Sequence, residues 1–232
     1  MKAKEIFNSR FAIYYEKVIN RFSSPIQIDR WRKELVKGAL DFCPSASVIL
    51  DFCSGAGNVG KFFLKEKPES ILINCDISKP LLGLAKENFK KERNVYYVCS
   101  DNRFFPVKEC SVDVIFSSFC VRNSPEPLLT IKEAKRVLKN KGVWAILDFF
   151  KIEKGNFCTV TNNVIFKSFM KLNKLFLPSN SEAINYLFES IEKFYTVNRF
   201  KEILSSYGFK IVRFRNFMGG IASVLIAIKE EV

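Results

Sequence analysis

Between Ser47 and Phe150, short apolar runs alternate with stretches whose apolar residues recur every three or four positions. Runs rich in β-branched and aromatic residues read as strands, and the three-to-four spacing reads as helix. The pattern predicts strands over 47–52, 70–75, 94–99, 112–118 and 142–149, with helices over 58–66, 79–91 and 125–139 between them. Such alternation is the signature of parallel βαβ units. VDVIFSSF and VWAILDFF are apolar almost without interruption, which suits strands covered on both faces.

The flanks follow other patterns. Phe7, Phe11, Tyr14, Val18 and Phe22 make one apolar stripe, so residues 1–45 read as a helical N-terminal cap. Beyond Phe150, Ile165, Phe169, Leu172 and Phe176 make a second stripe, with Lys167, Lys171 and Lys174 on other sides. Residues 196–207 read as a further helix, and Phe209–Phe217 with Gly220–Lys229 as a hairpin closing the sheet edge. The expectation is one α/β domain: the cap over 1–45, a core over 46–150, a helical insertion over 151–195, and a closing helix and hairpin over 196–232.

Composition narrows the chemistry. With 232 residues and 48% of them apolar, the chain can bury a full core. It holds 37 Lys and Arg against 24 Asp and Glu, a formal charge of +13. A lysine-rich solubilising surface is the plainest reading of that excess, ahead of nucleic acid or anionic lipid. The chain has no histidine, so acid–base work falls to carboxylates, Tyr, Lys, Arg-bound water or the substrate. The seven cysteines form no C-x-x-C pair; they read as reduced core residues, and a zinc site is not expected. No apolar stretch reaches membrane-spanning length and MKAKEIFNSR lacks a signal-peptide core, so a cytoplasmic protein is expected.

DFCSGAGNVG follows the first predicted strand, and Gly55, Gly57 and Gly60 spell G-x-G-x-x-G. Glycines at a strand-to-helix turn let a ligand approach free backbone N–H groups, whatever nucleotide-like molecule binds. Discrimination comes from the acids. Asp51 ends the first strand, where a carboxylate repels pyrophosphate but suits a cation. Asp76 ends the second strand, placed for ribose hydroxyls. Asp101 follows the third strand, where it can accept from an adenine amino group. Singly, Asp51 reads equally as a helix cap or loop acid. Together the three fit S-adenosylmethionine, which carries a sulfonium, a ribose and an adenine but no phosphate, and disfavour an NAD-dependent oxidoreductase. Gly60 then reads as a helix-packing position.

VILDFCSGAGNVG resembles the first motif of class I methyltransferases, D-x-G-x-G-x-G, with Cys53 in place of the first glycine. CDISKPLLGLAKE, SDNRFFPVKECSVDVIFSSF and RVLKNKGVWAILDF continue the resemblance in order over 48–149. It implies a Rossmann-like fold: a seven-stranded, mostly parallel sheet with an antiparallel C-terminal strand and helices on both faces. It also implies S-adenosylmethionine as cofactor, S-adenosylhomocysteine as product, and a cofactor site of Asp51, Cys53, Gly55, Gly57, Asp76, Ile77, Asp101, Asn102 and Ser118. Three outer segments resemble the ubiquinone/menaquinone biosynthesis C-methyltransferases: NRFSSPIQIDRWRKELV, SFCVRNSPEPLLTIKEAKRVLKNKG and YLFESIEKFYTVNRFKEILSSYGFKIVRFRNFMGGIASV. That family methylates a ring carbon of a prenylated quinol. The chain departs from it at Tyr14-Tyr15-Glu16 for a Tyr-Asp pair, at Asp148 for a strand-end Glu, and at Leu225 for a histidine. KLNKLFLPSNSEAIN also matches poorly.

Methylating a quinol carbon requires polarisation of the neighbouring hydroxyl and alignment of the carbon with the donor methyl. Arg122, at the end of the fourth strand, is expected to stabilise the phenolate directly or through a bound water, with Asn123 orienting the same group and Tyr15 in the same pocket. The plain alternative for Arg122 is a surface salt bridge. The aromatic and lysine-rich stretch 157–188 is expected either to cover the acceptor and rest on the inner face of an anionic membrane, or to be an ordinary core helix with a basic side. Another small or lipid acceptor, such as a phospholipid headgroup or a phenolic natural product, is the alternative substrate. No nucleic-acid partner is expected, and a homodimer is left open.

Overall fold

The structure is a computed structural model that describes residues 12–13, 24–101, 103–153 and 181–231. Its elements are α1 (Ser24–Phe42), β1 (Val48–Phe52), α2 (Asn58–Glu66), β2 (Ile71–Asp76), α3 (Lys79–Asn88), β3 (Val95–Cys99), β4 (Val112–Ser118), α4 (Pro127–Val137), β5 (Leu138–Phe149), α5 (Ser181–Lys193), α6 (Val197–Ser206), β6 (Phe209–Phe217) and β7 (Ala222–Lys229). Short 3₁₀ turns at Val121–Asn123 and Met218–Gly220 follow β4 and β6.

The strands form one sheet in the order β3-β2-β1-β4-β5-β7-β6. The first five run parallel, and β7 runs antiparallel to both β5 and β6. The predicted terminal hairpin therefore exists, with its second strand inserted between β5 and β6. The Rossmann-like class I methyltransferase architecture expected from the sequence is the one observed.

Both faces are covered, as the near-continuous apolar strands require. Ile49, Val114, Phe116, Ala145 and Leu147 pack with Trp31, Leu35 and Phe63 on one face. The alternate residues Leu50, Ile115, Trp144 and Ile146 pack with Ile131, Phe200 and Leu204 on the other. On α1, Ile28, Trp31, Leu35 and Ala39 recur at helical spacing and are fully or almost fully buried. Trp31 stacks on Phe217 with ring centroids 4.9 Å apart, while Asp41 and Glu34 reach Arg213 and Arg215 on β6. The stripe over Phe7–Phe22 and the one over Ile165–Phe176 lie outside the described residues.

Two boundaries differ from expectation by more than two residues: α3 stops at Asn88, short of the expected 91, and β5 starts early. The predicted helix over 125–139 ends at Val137, and the chain enters β5 directly at Leu138. The reason is pairing: Leu138 already faces Val112, and the N–H groups of Cys110 and Ser111 donate to the carbonyls of Arg136 and Val137. Lys141, at φ 61°, then redirects the strand into register with β4. No helix among the described residues is long and apolar enough to cross a membrane.

Candidate active site

From β1 the chain steps to β2 on one side of the sheet, and β4 lies on the other. Open α/β sheets bind ligands at such a switch point, outside the carboxyl ends of the strands. Asp51, Phe52 and the glycine turn arrive there from β1, Asp76 from β2, and Ser118–Asn123 from β4.

The turn uses left-handed backbone at Cys53 (φ 52°), Gly55 (φ 55°) and Gly57 (φ 79°). At Gly57 a Cβ would stand 2.2 Å from the Phe89 ring, so a glycine is required for space as well as conformation. Gly60 is the packing position expected: a Cβ there would meet Leu72 at 2.5 Å. Its N–H donates to Asp51 Oδ2 at 3.2 Å.

Asp51 is buried. Burial pushes its carboxyl up to about 7, opposed by the Gly60 N–H and by Arg32 of α1 and reinforced by Asp76. Asp76 accepts from the Gly55 N–H at Oδ2 and from the Ser78 N–H at Oδ1, both at 2.8 Å. Ile77 follows it, half-buried, ahead of Ser78, whose side chain caps α3. Asp101 is engaged through both oxygens by Arg103, which also binds Glu126. Asn102 lies outside the described residues. The hydroxyls of Ser54 and Ser118 are buried without a hydrogen-bond partner among the described residues. A ligand with an amino-acid end would satisfy both, and the buried carboxylate of Asp51 suits its cationic groups. The residues present fit S-adenosylmethionine.

Cys53 corrects the reading of all the cysteines as reduced: it is joined by a disulfide to Cys120, with Cα atoms 5.7 Å apart. β1 and β4 are neighbours, with Phe52 facing Ser117, so residues just past their ends converge although 67 positions separate them. Cys43, Cys75, Cys99 and Cys110 are free thiols, and Cys158 lies outside the described residues.

Arg122 was expected to face the acceptor. Its side chain is instead wholly enclosed. The guanidinium pairs with Asp148 Oδ1, and the Arg122 N–H donates to Oδ2 at 3.2 Å. The rings of Phe119 and Phe149 lie 5.8 and 5.3 Å from the guanidinium carbon. Neither an open phenolate contact nor a surface salt bridge describes it; the pair sets the shape of the turn after β4. Asn123 donates to the Phe119 carbonyl at 2.9 Å and accepts from the Tyr186 hydroxyl at 3.3 Å. Tyr15 lies outside the described residues. Tyr186 and Arg32 were missed as site residues, although both fall in segments that resemble the family, YLFESI and RWRKELV.

A model of the ubiE/COQ5 methyltransferase family matches residues 1–229. A Campylobacter jejuni protein described as "Ubiquinone/menaquinone biosynthesis C-methyltransferase UbiE" is 29% identical over 98% of this chain and 97% of its own. A Caenorhabditis elegans protein described as "2-methoxy-6-polyprenyl-1,4-benzoquinol methylase, mitochondrial" is 29% identical over 85% of this chain and 70% of its own. Among solved structures, a SAM-dependent methyltransferase from Aquifex aeolicus superposes with a TM-score of 0.56 at 22% identity, covering 79% of this chain and 82% of its own. The glycine turn and strand-end acids, set in this sheet and matched from residue 1 to residue 229, place the chain in the ubiE/COQ5 methyltransferase family.

Proposed function

We propose that this protein is a C-methyltransferase that methylates a ring carbon of a prenylated quinol, a demethylmenaquinol or a ubiquinol precursor, in quinone biosynthesis. The observation that carries the reading is Asp51, Asp76 and Asp101 at successive strand ends over one glycine turn, in a chain matched along its length by the family. S-adenosylmethionine supplies the methyl group when bound. Asp51 offers a buried negative charge to its cationic groups, Asp76 offers acceptors to the ribose, and the Ser54 and Ser118 hydroxyls serve the amino-acid end. Ile77, Asp101 and Asn102 are proposed to border the adenine.

On the acceptor side, the Arg122–Asp148 pair fixes the backbone after β4. Asn123 then presents its amide beside Tyr186, where both can orient a phenolic oxygen. The rings of Phe119 and Phe149 help to exclude water, which favours a reaction in which charge is neutralised. Tyr15 is proposed as a third group of that pocket. The stretch 157–188 is proposed to cover the acceptor and rest on an anionic membrane face, supported by the charge of +13.

The test is the quinone profile of cells lacking the protein, by mass spectrometry. An accumulated demethyl quinone is the expected result, and its ring identifies the head group. An unchanged profile refutes the assignment and leaves a phenolic or lipid acceptor to be sought with the purified enzyme.

A further inference from the structure

The disulfide lies at the most consequential place in the sheet. It joins the first residue of the glycine turn to the turn after β4, across the switch point where the ligand crevice opens. Cys53 stands two residues after Asp51, and Cys120 two residues before Arg122. Both flanks are held in backbone that side chains rarely adopt: Cys53 at φ 52° and Phe119, beside Cys120, at φ 59°. The bridge is also chemically asymmetric. Cys53 is partly exposed, whereas Cys120 is buried, so an external thiol reaches the Cys53 sulfur first. The nearby Cys75 is buried and its thiol is pushed up to about 12, which keeps it from exchanging into the pair.

The bridged chain has a definite arrangement of the cofactor turn. Two residues past Cys53, the Gly55 N–H donates to Asp76 Oδ2, the carboxylate assigned to the ribose. A ribose hydroxyl approaching that oxygen meets a turn already fastened at both ends, by the disulfide and by this hydrogen bond.

We propose that Cys53 and Cys120 are a reversible redox pair that governs loading of the cofactor turn: the disulfide holds the turn closed on Asp76, and the dithiol releases it. The oxidant is a quinone, the oxidised form of the acceptor, and the reductant is a dithiol. This choice of oxidant rests on the quinol reading above. The two thiols give up two electrons and two protons as the S–S bond forms; the quinone takes both electrons and both protons on its two oxygens and becomes the quinol. In the return step a thiolate of the dithiol attacks the Cys53 sulfur and Cys120 leaves as a thiolate, which gains a proton. The second thiol of the reductant then resolves the mixed disulfide and leaves as its own disulfide. Only the quinol has the electron density to accept a methyl group. A pair that closes when quinone predominates therefore loads donor when the acceptor is in its reactive form.

The experiment uses the full chain, reduced, freed of reductant under anaerobic conditions, and titrated with a short-chain, fully substituted ubiquinone analogue that has no ring position for thiol addition. Free thiols are counted, the Cys53–Cys120 peptide pair is sought by mass spectrometry, and S-adenosylhomocysteine affinity is measured by calorimetry before and after. The expected result is two thiols lost per quinol formed and affinity weaker by about tenfold, the worth of one hydrogen bond to a charged group, with recovery in dithiothreitol. Cys120→Ser is expected to bind like the reduced protein and ignore the quinone; Cys120→Ala is the second variant should the first not fold. Equal affinity in the two redox states overturns the gate. A bridge that diamide closes and quinone does not overturns the choice of oxidant. Methyl transfer by the reduced protein is assayed separately. Its absence with every quinol, alongside an intact redox response, refutes the acceptor reading and leaves the gate standing.

Discussion

At the scale of residues, two of the three buried acids at the site, Asp148 and Asp51, behave in opposite ways. Asp148 has its countercharge beside it, wholly enclosed with Arg122. Removing one partner of such a pair strands the other in a medium that cannot solvate it, so Arg122→Met should cost about 3–5 kcal/mol of stability. Arg122→Met with Asp148→Leu should recover most of that in urea unfolding while methyl transfer stays low, because the turn carrying Asn123 has lost its anchor. Asp51 instead holds its proton up to about 7 in the folded chain, against roughly 3.9 for a free carboxyl. The native state therefore binds more protons than the unfolded chain, and this group's contribution to stability falls as pH rises from about 4 to about 7. Ionised Asp51 is the form that attracts a cation, so S-adenosylmethionine, with its sulfonium, should bind more tightly as pH rises from about 6 to about 7.5. Asp51→Asn should flatten both slopes, read by calorimetry and by denaturation at several pH values. Asp51 and Asp76 were legible in the sequence because a strand end fixes where its last side chain goes. Tyr186, Arg32 and the partner of Cys53 were not, since only the strand order and the docking of α1 and α5 bring them to the turn.

Among the elements, the strands of the core were legible to within a residue or two because burial on both faces writes itself as an unbroken apolar run. The start of β5 was hidden by RVLKNKG, which keeps helical composition beyond the point where pairing with Val112 takes the backbone away. The contacts that join elements give the sharpest stability tests. Gly60→Ala puts a methyl 2.5 Å from Leu72 across the α2–β2 interface and should cost about 1–3 kcal/mol. Trp31→Ala removes the largest buried group of α1 and its stack on Phe217, at a cost of about 3–5 kcal/mol. Both are measured by urea unfolding with the bridge kept reduced, so that the disulfide does not mask the loss.

For the molecule as a whole, the bridge closes a loop whose ends are 67 positions apart. In the chain-entropy account such a loop stabilises the fold by about 4 kcal/mol, so the reduced protein should unfold at lower urea than the oxidised one. The charge of +13 predicts salt-sensitive sedimentation with anionic liposomes; absence of sedimentation even at low salt refutes the membrane-face proposal. The order of strands carries a further consequence, for synthesis. β7 lies between β5 and β6 and supplies Leu225, Ile226 and Ala227 to the two cores, yet of the seven strands it is the last to leave the ribosome. Until it emerges, β5 shows a bare edge and β6 has no neighbour, while both strand ends that carry the cysteines have already been made. The nascent chain can thus meet an oxidant before its sheet is sealed, and protection of that open edge becomes a task for the chaperones of the cell.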